Sequence, residues 1–303
     1  MQDFLPELER IVGAGNAAAR EPMSRHTTFE IGGPARYYAR PASVTAVAGV
    51  VRACKAAGVP LRVVGCGSDL LVSDAGVPGV VMEIRDNLSS VRVEGTRVFA
   101  EAGATNAAVA EAACAAGLSG YEFASGIPGT VGGAAIMNAG AYDGEFSQVC
   151  TEVACVTPEG EQVTVPAEEA DWSYRHSVFG ERGLVVVGAV LSLRASDSAA
   201  IRARMDELAA RRAEKQPLDM PSAGSTFKRP PGHFAAALID QAGLRGFSVG
   251  GAQVSTKHTG FVVNAGGATA RDVRALIEEV QRRVKADSGV ALEPEVRMWG
   301  FEK

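Results

Sequence analysis

The chain has 303 residues, 47% of them hydrophobic and 21% charged, with a formal net charge of −5. That size and balance suit two or three globular domains with sizeable cores. The acidic excess argues against nucleic acid as the main partner, and no apolar run reaches the roughly 18 residues of a membrane span.

The N-terminal stretch carries acids early and lacks an apolar signal core, so no secretory signal or membrane insertion is expected. Phe4, Leu5, Leu8, Ile11 and Val12 recur at the spacing of an amphipathic helix. Gly32, Gly33 and Pro34 predict a turn, with an extended segment over Ala35–Ala39. Ser43 can cap a helix from Val44 to Ala57 that Gly58 stops. Leu61–Val64 and Val80–Ile84 read as strands, giving a compact βαβ-like unit. Beyond Asn87 the pattern changes to alternation. Hairpins are expected about Glu94-Gly95-Thr96 and about Pro158-Glu159-Gly160. Between them Thr105 caps an alanine-rich helix closed by Gly117. A long apolar strand follows over Leu184–Leu193. Ala199–Glu214 predicts a charged helix with Arg202, Arg204, Arg211 and Arg212 on its solvated face, ended by Gln216-Pro217. The last third predicts helices over His233–Ala242 and Thr269–Lys285, a strand over Thr259–Val263, and a closing strand over Val290–Met298. Domain boundaries are placed near residues 85 and 198.

The five cysteines Cys54, Cys66, Cys114, Cys150 and Cys155 form no CxxC, and the four histidines show no HxxxH spacing. No metal site is expected, and the thiols suit a reducing cytoplasm.

Two stretches carry chemistry. Residues 120–144 hold seven glycines and one proline. Gly126, Ile127, Pro128, Gly129, Val131, Gly132 and Gly133 pass into Ala134-Ala135-Ile136-Met137, which can start a helix. A glycine-rich turn opening on a helix N-terminus points N–H groups at one spot suited to phosphate; a buried loop whose glycines relieve packing fits as well. The second stretch, Val64-Gly65-Cys66-Gly67-Ser68-Asp69, follows a strand like the start of a dinucleotide fingerprint. Leu70 at the third glycine position, and a strand-like Leu71-Val72-Ser73-Asp74 after it, spoil the Rossmann reading. Two such loops fit one extended dinucleotide.

VVGCGSDLLV and GIPGTVGGAAIMNAGAYDGEF resemble the FAD-binding module of the UDP-N-acetylenolpyruvoylglucosamine reductase family. The resemblance continues through Tyr174-Arg175-His176-Ser177, Ala223-Gly224-Ser225-Thr226-Phe227-Lys228 and Leu292-Glu293-Pro294-Glu295-Val296-Arg297. It spans nearly the whole chain in the family's order. It implies an α+β fold of three domains: a vanillyl-alcohol-oxidase-type FAD module of two α+β subdomains (1–85 and 86–198) and an α+β substrate domain (199–303). It implies non-covalent FAD, reduced by NADPH, that passes hydride to the enolpyruvyl ether of UDP-N-acetylglucosamine in peptidoglycan precursor synthesis. The chain is expected to act as a monomer on small molecules.

By resemblance, Arg175 matches the catalytic arginine, whose planar fork suits a carboxylate becoming an enolate. Ser225 matches the proton donor and Glu295 the third catalytic member. By pattern alone Glu293 and Glu295 point to one side of the closing strand; the family motif selects Glu295. Lys228 and Lys257 are candidates for the substrate diphosphate, and Tyr142 and Tyr174 for the substrate channel. The segment between Tyr174 and Gly224 is short, as in the family's type without an extra substrate loop. The alternative is an FAD oxidase of an alcohol or sugar lactone in the same superfamily, which needs a base where Ser225 stands.

Overall fold

The computed structural model describes residues 3–301. By their contacts they divide into two units that interleave along the chain. The first holds residues up to 19, 37–66 and 79–212; the second holds 20–36, 67–78 and 213 onward.

In the first unit, helix α1 (Leu5–Val12) buries Leu8 and Val12 and packs on α2 (Val44–Ala57). The Ser43 hydroxyl accepts from the Ala46 N–H at one end of α2, and Gly58, with φ +62°, closes the other. These are the ends its sequence dictates: an oxygen for the orphan amides, and a residue free of a Cβ for the left-handed exit. Strand Leu61–Val64 runs parallel to residues 80–83. A five-stranded antiparallel sheet follows in the order Gln162–Pro166, Cys150–Val156, Val185–Ser192, Arg97–Glu101, Val91–Glu94. Helices α3 (Asn106–Ala115) and α4 (Val131–Met137) pack against it. Their alanines and glycines let helix and sheet approach closely. Short α5 (Val178–Glu181) packs on α4, and α6 (Ser198–Lys215) buries Ile201, Met205 and Leu208.

The second unit has its own core. An antiparallel sheet runs in the order Ser222–Ser225, Phe261–Asn264, Ala252–Val254, Ser248–Val249. Helix α7 (Ala235–Gln241) packs on α8 (Ala270–Ser288), which lies on that sheet. Val273, Leu276, Ile277, Val280 and Val284 of α8 are wholly buried, each stabilising by roughly 1.5–3 kcal/mol over exposure. Phe29, Ile31 and Leu71 join this core from early segments. The start of α8 is closed twice over. Thr269 and Asp272 form a capping box, and the Asp74 carboxylate accepts from Ala270 N (2.8 Å) and Arg271 N (3.0 Å).

The helices and hairpins expected from the sequence are present. The closing strand is not as expected: only Arg297–Trp299 pairs, parallel to Leu70–Val72, while Pro294 makes an isolated bridge to Phe227. A proline has no N–H to donate to a ladder, so the strand cannot propagate through it. Among the described residues no helix is long and apolar enough to cross a membrane, and no cluster of potential ligands could hold a metal ion.

Candidate active site

Within the first unit the two glycine-rich turns lie side by side. A Cβ added at Gly65 would stand 2.5 Å from Thr130 Oγ1, so only glycine admits this approach. Thr130 is buried, and its hydroxyl accepts from Gly133 N to cap α4. The other early amides of α4 are already spent: Val131 N donates to Ala104 O (2.8 Å), Gly132 N to Ala102 O (2.9 Å) and Ala134 N to Thr130 O (2.8 Å). The helix start is therefore not the phosphate cradle that the sequence suggests. The donors lie just before it. Ile127 N is bonded to Ala124 O and Pro128 has none, but the amides of Gly126, Gly129 and Thr130 donate to nothing among the described residues. The same holds for Gly65 and Cys66 on the facing turn. Five amides on two turns that touch at Gly65 and Thr130, with Gly129 at φ +135°, are donors of the kind an anionic chain such as a pyrophosphate takes. The residues present thus fit FAD at its phosphates. The half-buried Cys66 thiol is pushed up by burial, an effect the Arg85 guanidinium opposes. Gly67, at φ +60°, belongs to the second unit; a Cβ there would stand 2.1 Å from His26 O. With it go Ser68 and Asp69, whose carbonyl accepts from Arg297 N.

The other end of α4 carries the segment with Arg175. A helix leaves its last carbonyls unpaired. Here Trp172 Nε1 donates to Ala135 O (2.8 Å) and Ser177 Oγ to Ile136 O (2.7 Å). Asn138 Nδ2 donates to Ser173 O (3.2 Å). Between these anchors the chain makes a tight turn closed by His176 N to Ser173 O and Ser173 N to His176 O. Tyr174 and Arg175 are its tip. Arg175 takes φ +58°, a conformation costing of order 1 kcal/mol for a side chain of this kind. The guanidinium lies 4.8 Å from the centre of the Tyr174 ring, and Tyr174 is 47% exposed.

Tyr142 sits at the tip of a hairpin with Asp143, both at positive φ (+51° and +67°). Its ring faces the Arg211 and Arg212 guanidiniums at 5.5 and 5.8 Å, and its hydroxyl donates to Leu208 O. Arg212 does not lie on a solvated face as expected. A Cβ at Gly126 would meet its Nε at 2.9 Å. Burial pushes the Arg212 guanidinium down from its usual range, against the pull of Tyr142.

In the second unit, Ser225 ends a strand after Gly224, which takes φ +71°. Backbone bonds fix its neighbourhood: Thr226 N to Gly260 O (2.8 Å), Glu295 N to Thr226 O (2.8 Å) and Lys228 N to Glu293 O (2.9 Å). The buried Thr226 hydroxyl accepts from Val262 N (2.9 Å). These bonds bring the segments that carry Ser225 and Glu295 side by side. They also separate the two glutamates. Glu293 is exposed and pairs with the Lys228 ammonium, whereas Glu295 is half-buried. Lys257 donates from Nζ to Ala213 O (2.6 Å). Both candidate phosphate lysines are thus already engaged. The sequence alone assigns no role to Thr130, Asn138, Trp172 or Ser177. A threonine before a helix and an asparagine after it were the available signals for the first two.

Two family models match the chain: an FAD binding domain over residues 35–166, and the C-terminal domain of UDP-N-acetylenolpyruvoylglucosamine reductase over residues 216–299. The UDP-N-acetylenolpyruvoylglucosamine reductase of Agathobacter rectalis is 51% identical over 292 residues, covering 92% of this chain and 93% of that protein. The chain belongs to the UDP-N-acetylenolpyruvoylglucosamine reductase family. The reductase of Pediococcus pentosaceus is 49% identical, covering 93% of this chain and 94% of its own. The crystal structure of the Thermus caldophilus reductase matches with a TM-score of 0.81 at 34% identity, covering 93% of this chain and 98% of that one. The α+β fold expected from the sequence is that of the reductase family. Both glycine turns lie inside the matched FAD binding domain, and Ser225 and Glu295 inside the matched C-terminal domain. Arg175 falls between the two matched spans.

Proposed function

We propose that this chain reduces the enolpyruvyl ether of UDP-N-acetylglucosamine to UDP-N-acetylmuramate, with NADPH as co-substrate, as a cytoplasmic monomer serving peptidoglycan precursor synthesis. The observation that carries the reading is one short helix with a donor-rich double turn before its start and the Arg175 turn hung on its end. FAD, held non-covalently, supplies the hydride chemistry when bound.

The chain's own residues do the rest. The free amides of Gly65, Cys66, Gly126, Gly129 and Thr130 receive the cofactor's phosphates. Val64, Ile127 and Pro128 shape the turns, and Gly132 lets α4 lie close against Ala102, where a Cβ would stand 3.1 Å from the Ala102 side chain. When hydride reaches the β-carbon of the enolpyruvyl group, negative charge builds at the neighbouring carbon and spreads to its carboxylate. Arg175 takes both oxygens of that carboxylate in a bidentate pair, which strengthens as the enolate forms. Ser225 Oγ gives the proton to the charged carbon. Glu295 orders the donors around that proton. The substrate diphosphate draws Lys228 from its exposed pair with Glu293, a bond of the kind worth little in water.

The test is to follow the two half-reactions separately under anaerobic conditions. The protein should be yellow, release FAD on heating and bleach with NADPH. The reduced protein should be reoxidised far faster by the enolpyruvyl substrate than by air; the reverse would make it an oxidase. Ser225→Ala should still be bleached by NADPH but lose reoxidation by substrate by about 100-fold or more. Equal loss in both halves would sink the assignment of Ser225 as proton donor.

A further inference from the structure

Asn138 is the residue at which α4 ends. It is buried, takes a left-handed backbone (φ +41°), and uses its whole side-chain amide. Its Oδ1 accepts from Ser147 N (2.9 Å), while Nδ2 donates to Glu145 Oε2 (3.0 Å) and to Ser173 O (3.2 Å). An N–H can only donate and a carbonyl can only accept, so the orientation of the amide is settled by its partners. Trp172 and Ser177 hold the two flanks of the turn, and Asn138 holds its first residue. The carbonyl it grips is the one that closes the turn at His176. The tip residue Arg175 sits at positive φ, a conformation with a cost that the anchors of the turn offset.

We propose that Asn138 is a positioning residue for Arg175. It locks the strained Ser173–His176 turn to the end of the helix whose start adjoins the cofactor turns, so that the guanidinium is aimed before substrate arrives. The proposal rests on the reading of Arg175 as the group that holds the substrate carboxylate. A misplacement of about 1 Å in such a group can cost on the order of 100-fold in rate.

Asn138→Asp and Asn138→Gly test it. Aspartate keeps the acceptor for Ser147 N and tolerates the left-handed backbone, but it loses both donors and faces the Glu145 carboxylate. Glycine keeps the backbone and loses every bond. Both variants should bind FAD and be reduced by NADPH within about twofold of wild type, yet be reoxidised by the enolpyruvyl substrate at least about tenfold more slowly. The amides of 173–176 should exchange with deuterium at least about tenfold faster. In an Arg175→Lys background the Asn138 substitution should add less than about twofold, because the two act on one step. Wild-type reoxidation with 173–176 still protected would overturn the proposal. So would a fall in NADPH reduction equal to the fall in reoxidation, which is what a merely structural residue gives. Slow reoxidation in Arg175→Lys with normal Asn138→Asp would reject this proposal alone. Normal reoxidation in Arg175→Lys would reject the reading of Arg175 beneath it.

Discussion

The two units place their candidate catalytic groups by opposite means. In the second, Ser225 and Glu295 are set by backbone bonds from Thr226, Gly260 and Glu293, braced by the Thr226 hydroxyl on Val262 N. In the first, Arg175 sits on a turn with no ladder behind it, tied by the side chains of Trp172, Ser177 and Asn138. Position set by the backbone survives most substitutions around it; position set by three side chains depends on each of them.

The largest expected effect separates two kinds of glycine. Gly65→Ala pushes a methyl into the buried Thr130 side chain and should weaken FAD binding at least about tenfold, read by flavin titration. Gly224→Ala meets nothing within 4 Å, so only its φ of +71° is strained; it should cost about 1 kcal/mol in thermal unfolding and leave FAD affinity alone. Next comes a matched pair. Trp172→Phe leaves Ala135 O without its donor, and Thr226→Val leaves Val262 N without its acceptor. Each should cost about 1–3 kcal/mol by denaturant unfolding. Only Trp172→Phe should also slow reoxidation, by about tenfold. Equal rate losses in the pair would break the contrast between the two units. The smallest effect belongs to a cap. The amides of Thr269 and Gly251 and the Thr269 hydroxyl hold the Asp272 carboxyl below its usual range. Its stabilising contribution is thus present above the unfolded value of roughly 3.9 and is lost as pH falls through the lower folded value. Asp272→Asn should cost about 0.5 kcal/mol at neutral pH, in a partly solvated site, and that gap to wild type should close in acid.

Much of this fold is local grammar, which is why it could be read. Ser43 and Thr105 each announce a helix one residue ahead, and Gly58 ends one. What could not be read depends on contacts distant in sequence. The amides of Val131 and Gly132 look available in the sequence and are taken by Ala104 and Ala102. Arg212 has the neighbours of a solvated helix face, but Gly126 and Tyr142 draw it inward. Asn138 reads as a helix stop; its reach to Ser173, 35 residues on, is invisible to any periodicity. Glu293 and Glu295 are equivalent in pattern until Lys228 claims one of them. The two units also interleave, so no shift of composition marks their limits.

That interleaving bears on how the chain is made. Residues up to 212 complete the first unit, so it can close while the remainder is still being synthesised. Phe29, Ile31 and Leu71 leave the ribosome well before Val273, Leu276 and Ile277, which share their core. Until those partners are made the chain carries these three apolar residues uncovered by them, and a chaperone that binds nascent chains has its natural target there.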